Sequence, residues 1–214
     1  MGKITESELK KQISQKEFQN AYLIYGDETY LKDYYVSKIK SKVIPKEATD
    51  IDFRYFEGKS YSLDDILRNC ELMPMMSEYR LVLVGDYPFS STNEVKELSQ
   101  YISDMPESTI LIFKYDTVEF DTKKNSKFKS VENAFTKSAC CVKLDRKTEY
   151  DLVKLIISGA KKRKKTISQN DAKYMVSIVG SDLTTLLNEL EKLCFFSENE
   201  EISKKDIDSV CVKS

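Results

Sequence analysis

A strand-length apolar run recurs five times within the first 145 residues, and a helical pattern stands between most successive runs. The runs are 21–25 (AYLIY), 51–56 (IDFRYF), 81–84 (LVLV), 109–113 (TILIF) and 140–144 (CCVKL). Each is rich in the β-branched and aromatic residues that suit a pleated surface. Helices are predicted over 6–18, 28–43, 62–70, 92–102 and about 130–138. The segment 62–70 shows the pattern well. Leu63, Ile66, Leu67 and Cys70 fall on one face, and Ser62 stands three residues before Asp65 as a cap. LVLV and TILIF lack polar alternation, as expected of strands covered on both faces. The alternation predicts an α/β unit with a parallel sheet and helices on both sides. The polar, Lys-rich stretch 115–129 is its least structured part.

After residue 145 the alternation stops. Helical periodicity continues over 149–161, 170–179, 181–196 and 204–210. The third of these carries Leu183, Leu186, Leu187, Leu190, Leu193 and Cys194 as one stripe. The chain therefore divides into an α/β domain, 1–145, and a small all-helical domain, 146–214.

Composition removes much of the enzyme repertoire. There is no histidine, so Ser-His-Asp triads, Cys-His pairs and H-E-x-x-H zinc helices are excluded. The five cysteines form no C-x-x-C, so a zinc site has no spacing support. Their scatter, with no signal peptide, fits reduced thiols in a cytosol. With 34 basic against 35 acidic residues, no global field points to nucleic acid or membrane. No apolar run approaches the roughly 20 residues that span a bilayer. The six glycines complete neither G-x-G-x-x-G nor G-x-x-x-x-G-K-[ST].

The junction after the first run comes nearest to a phosphate loop. Laid on that template, Gly26 and Lys32 fall in place. Leu31 replaces the second glycine, and Asp33 replaces the Mg²⁺-binding hydroxyl. Asp27 and Glu28 put negative charge where a triphosphate would lie. Two readings stand: a strand-to-helix turn whose acids complement the helix dipole, or a divergent nucleotide site. Other positions drift the same way. Asp86 follows the third run, but Tyr87 stands where a water-polarising glutamate would be. The fourth run ends in Phe113-Lys114, without an Asn or Thr, and Thr184 stands where a phosphate-sensing Arg would be expected.

The helix 62–70 is followed by Leu72, Met73, Pro74, Met75 and Met76. Its core face is already supplied, so these residues exceed what that face needs. Pro74 stops the helix and presents the methionines on a turn. Flexible Met side chains suit a protein-binding surface. The competing reading is that the segment closes the core before the third run, and it is favoured for Leu72 and Met76.

Four stretches carry a resemblance: 22–31 (YLIYGDETYL), 56–67 (FEGKSYSLDDIL), 71–84 (ELMPMMSEYRLVLV) and 180–193 (GSDLTTLLNELEKL). Together they resemble the delta subunit of the bacterial DNA polymerase III clamp loader, over about 18–212. The resemblance implies an AAA+-like five-stranded parallel sheet followed by a helical lid, and no ATPase activity or cofactor of its own. It implies work in the bacterial cytoplasm within the polymerase III holoenzyme. The implied partners are the sliding clamp (the beta subunit), the loader's ATPase subunits, its delta-prime subunit and primed DNA. By position, the family's clamp-inserting apolar pair maps to Pro74 and Met75, with Leu72, Met73 and Met76 flanking. An aromatic often stands at the Met75 position in relatives. The family's helical collar domain would begin near Val212–Ser214, which implies that the chain is a fragment without it.

Two basic clusters remain, Lys123, Lys124, Lys127 and Lys129, and Lys161, Lys162, Arg163, Lys164 and Lys165. Each is either a DNA-phosphate contact or a solvated loop and helix end. No aromatic interleaves with the run 161–165, so base stacking has no support there. A divergent P-loop NTPase and a nucleic-acid binder acting through these lysines are the alternatives to a clamp-loader subunit.

Overall fold

The computed structural model describes residues 2–211. Val212–Ser214, where the sequence places the collar boundary, lie outside the described residues. Two compact units divide the chain, Met1–Asp145 and Arg146–Ser214.

In chain order the first unit contains β1 (Gly2–Ile4), α1 (Glu6–Gln15), β2 (Ala21–Tyr25), α2 (Thr29–Val43), α3 (Thr49–Asp52), β3 (Phe53–Glu57), α4 (Leu63–Cys70), β4 (Arg80–Gly85), α5 (Thr92–Ser103), β5 (Thr109–Lys114), α6 (Ser126–Ser138) and β6 (Cys140–Lys143). All six strands pair in parallel in the order β1-β6-β2-β5-β4-β3. The order puts β2 and β5 inside the sheet. β2 and β4 are buried along their whole length, as strands without polar alternation require.

The sheet has one strand more than the five expected. β1 is only three residues of mixed polarity and pairs at the edge with β6, so no periodicity announces it. Glu132, buried on α6, ties that edge down. It accepts from Tyr25 Oη and pairs with Lys3 at 2.7 Å.

Two other boundaries shift. Ile51 and Asp52 belong to α3 rather than to a strand. The helix expected from about 130 begins at Ser126, because the Asn125 side chain accepts from the Lys127 and Phe128 N–H groups. The stretch 115–129 is consequently not loose. Tyr115, Phe120 and Phe128 are buried, and their rings pack at centroid distances of 4.5–5.5 Å.

The second unit contains α7 (Glu149–Lys162), β7 (Thr166–Ile167), α8 (Gln169–Val179), α9 (Leu183–Phe196), β8 (Glu201–Ile202) and α10 (Lys204–Val210). The side chains of Thr148, Ser168, Asp182 and Ser203 cap the four helices. The unit is not purely helical: β7 and β8 form a two-residue parallel pair, too short to leave a period in the sequence. No helix among the described residues is long and apolar enough to cross a membrane.

Candidate functional site

Two junctions of the α/β unit carry the candidate residues. The first follows β2. Gly26 has φ +115°, and a Cβ there would lie 2.3 Å from the Leu144 carbonyl oxygen. No side chain fits, so the glycine is required by the close passage of the chain leaving β6. Leu31 is buried and serves the core.

Lys32 is also buried, at 2% exposure. Its Nζ donates to the Gly26 carbonyl at 2.8 Å and to the Tyr115 carbonyl at 2.6 Å, and it lies 3.1 Å from Asp116 Oδ1. The ammonium is thus spent on the loop's own backbone and on a carboxylate. Asp33 faces outward and pairs with Lys114, which also pairs with Asp116. Burial pulls the Lys114 ammonium down, but Asp116 and Asp33 outweigh it and hold the pKa above its usual value.

Asp86, at the end of β4, is committed in the same way. It is buried, with φ +51°. Its carboxylate accepts from the N–H groups of Asp116, Thr117 and Val118 and from the Thr117 hydroxyl at 2.6 Å. Burial raises its pKa, yet these donors outweigh burial and hold it below the ordinary aspartate value. Among the described residues, no group of three or more Cys, Asp or Glu is placed to hold a metal ion.

The second junction lies between α4 and β4. Met73 is 81% exposed and Met75 80%; Leu72 and Met76 are also more than half exposed, and Pro74 is partly covered. Leu72 and Met76 therefore do not close the core, against the expectation. The reason is that Leu63, Ile66, Leu67 and Cys70 already fill the buried face of α4. Leaving one Met side chain in water forgoes about 1.5–3 kcal/mol of burial. Several adjacent exposed apolar side chains are the kind of patch that marks an interaction surface.

The turn is held from beneath by residues whose role sequence reasoning missed. Asp52 is fully buried. Its carboxylate accepts from Met75 N–H at 2.7 Å, Met76 N–H at 2.7 Å and Ser77 N–H at 2.8 Å, and from the Ser77 hydroxyl at 2.8 Å. Burial pushes the carboxyl up, but these bonds outweigh it and hold its pKa below the usual range. Arg80 is buried too. It donates to the Asn69 carbonyl and side chain and to the Ile51 carbonyl. The sequence carries no distinct signal for Asp52, which shares the run 51–56 with a second charged residue, Arg54.

The basic clusters differ in freedom. Lys124 pairs with Glu119 and Asp121, and Lys127 Nζ donates to the Ser90 carbonyl at 2.6 Å. Lys123 sits with its backbone N–H on Asp121. In the second unit Lys165 is tied to the Ser197 and Asn199 carbonyls, and Arg163 reaches the Gly159 carbonyl. The side chains of Lys161, Lys162 and Lys164 are exposed at the end of α7.

The family model for the DNA polymerase III delta subunit matches residues 22–145, more than half of the chain. The chain belongs to the DNA polymerase III delta subunit family. A second model, described as a middle domain, matches 148–209 of this delta-family chain. The Bacillus subtilis (strain 168) DNA polymerase III subunit delta is 28% identical over 214 residues, which is 95% of this chain and 60% of the relative. The solved Bacillus subtilis DNA clamp loader delta protein superposes with a TM-score of 0.74 at 26% identity, over 97% of this chain and 62% of the other. The delta-family chain thus spans about three-fifths of the length of the relatives it matches. The Thermotoga maritima RuvB Holliday junction branch migration motor superposes with a TM-score of 0.54 at 12% identity, over 96% of this chain and 68% of the other. At that identity the likeness shows the AAA+-like fold alone.

Proposed function

We propose that this delta-family chain binds the ring-shaped sliding clamp through the turn Leu72–Met76 and helps to hold the ring open, without handling nucleotide itself. The observation that carries the proposal is the exposure of Met73 and Met75 beside a fully buried carboxylate that fixes the turn's backbone. Met75 and Pro74 are the inserting pair, and Leu72, Met73 and Met76 widen the apolar contact. A thioether is flexible and polarisable, so it adapts to an apolar pocket.

Opening a ring this way requires no bond to be broken. It requires tighter binding to the open or distorted ring than to the closed one, and the difference in affinity sets how far the equilibrium moves. In the proposed complex, ATP acts on neighbouring subunits, with the delta-prime subunit and primed DNA completing the assembly. The loop Gly26–Asp33 is proposed as a strand-to-helix turn rather than an ATP site. The inward bonds of Lys32 and the capping bonds of Asp86 support this, since a nucleotide would compete with three partners for one ammonium. For DNA within the complex, exposed Lys161 and Lys162 are better placed than Lys124 and Lys127, whose ammonium groups already have protein partners.

The test is Met75→Asp in the full 214-residue chain. Clamp binding measured by calorimetry is expected to vanish while the circular dichroism spectrum is unchanged. Normal binding by this variant overturns the assignment of the turn.

A further inference from the structure

The methionine turn faces a physical problem that its composition cannot solve. Exposed apolar side chains on a loop gain nothing by staying extended into water, and a loose turn would fold them onto the nearest apolar surface. Holding them out requires a rigid backbone. The chain supplies that rigidity from two sides.

From below, the Asp52 carboxylate receives three successive backbone N–H groups, those of Met75, Met76 and Ser77, plus the Ser77 hydroxyl. The single Ser77 hydroxyl proton is shared between Asp52 and the Tyr79 carbonyl, whose oxygen lies 2.7 Å from Ser77 Oγ. On the α4 side, Arg80 grips the Asn69 carbonyl and side chain at 2.7 and 2.6 Å, and the Thr109 hydroxyl donates to the Cys70 carbonyl at 2.7 Å. Arg80 also reaches the Ile51 carbonyl, next to Asp52. The carboxylate and the guanidinium thus fix the two ends of the same segment, Asn69–Ser77, against α3.

We infer that Asp52 is a positioning residue for the docking turn: its buried carboxylate sets the backbone of Met75–Ser77 so that the methionines are presented before the partner arrives. The inference rests on the proposed function of that turn and adds to it a group that never touches the clamp. Charge-assisted bonds to a carboxylate are stronger than neutral ones. Aspartate suits the place better than asparagine. Its acceptor-only carboxylate matches an all-donor set, whereas an amide NH₂ would meet N–H groups head-on. The gain is preorganisation: ordering entropy is spent during folding and not at binding.

The experiment compares Asp52→Asn, Ser77→Ala and wild type in two measurements on the full chain. One is hydrogen exchange of backbone amides, and the other is affinity for the sliding clamp, taken on folded protein. Asp52→Asn is expected to speed exchange at Met75, Met76 and Ser77, leave β4 and β5 unchanged, and weaken clamp binding about tenfold or more. Ser77→Ala keeps the carboxylate and three of its four bonds, so it is expected to shift both readouts in the same direction by less. If exchange at the turn rises while affinity stays at the wild-type value, the positioning role is wrong and the docking turn stands. If exchange at the turn does not change in Asp52→Asn, the positioning role is also wrong. If Asp52→Asn does not fold, Ser77→Ala decides by the same two criteria. A wild-type affinity in Met75→Asp removes the docking reading itself, which is a separate outcome.

Discussion

The loop after β2 and the turn before β4 invert each other. In the first, the charged groups that a phosphate site would use turn inward: Lys32 is buried against carbonyls and Asp116, and beyond β4 Asp86 caps the backbone of 116–118. In the second, apolar groups turn outward: Met73 and Met75 stand in water above the buried Asp52. An ATP motor needs its lysine and its acid directed at phosphate, and a binding subunit needs an apolar anchor directed at its partner. On the proposed reading, the difference teaches that one scaffold can turn its charged groups into internal fasteners and its apolar groups into a contact surface.

Three substitutions break or sharpen that contrast. Met75→Asp has the largest effect, because it puts a charge on the anchor of the proposed contact. Loss of clamp binding by about 100-fold or more is expected, with stability within about 0.5 kcal/mol of wild type. Lys32→Ala comes next. Removing a buried ammonium leaves two carbonyls and Asp116 short of a partner, so a loss of about 2–4 kcal/mol in urea unfolding is expected. Clamp affinity of the folded chain should not change. An unaltered urea midpoint would show that Lys32 is not a fastener and would reopen the nucleotide reading. Asp86→Asn should cost less, about 1–2 kcal/mol, since the amide oxygen still accepts part of the capping set. It also has a pH signature. The folded-state pKa of Asp86 lies below its unfolded value of about 3.9. Its stabilisation is therefore complete above that value and is lost as pH falls through the lower folded one. Wild type and Asp86→Asn should accordingly converge in stability below about pH 4; parallel curves down to pH 2 would contradict the capping role.

Most of the sheet was legible because burial on both faces leaves continuous apolar runs, as in 81–84 and 109–113. Segments of two or three residues, such as β1, β7 and β8, carry no period and stayed hidden. The beginning of α6 was hidden for another reason. Asn125 is a sound cap, but the lysines around it disguise a segment whose Phe120 and Phe128 are buried. At the turn before β4, the excess of apolar residues over the needs of α4 was readable. Which of them faced water was not: hydrophobicity alone does not tell a core residue from an exposed one, and the exposure of Leu72 and Met76 is seen only in the fold. Asp52 was unreadable as a positioning group, because its partners at 75–77 are more than twenty residues away and are mostly backbone N–H groups.

Calorimetric titration of the wild-type chain with the sliding clamp, in buffer free of nucleotide and then with MgATP, tests the inversion most directly. Saturable binding at about micromolar concentration or tighter, with the same affinity in both buffers and no separate heat from ATP, is the predicted result. Binding that appears only with MgATP, or ATP binding without clamp binding, would contradict it.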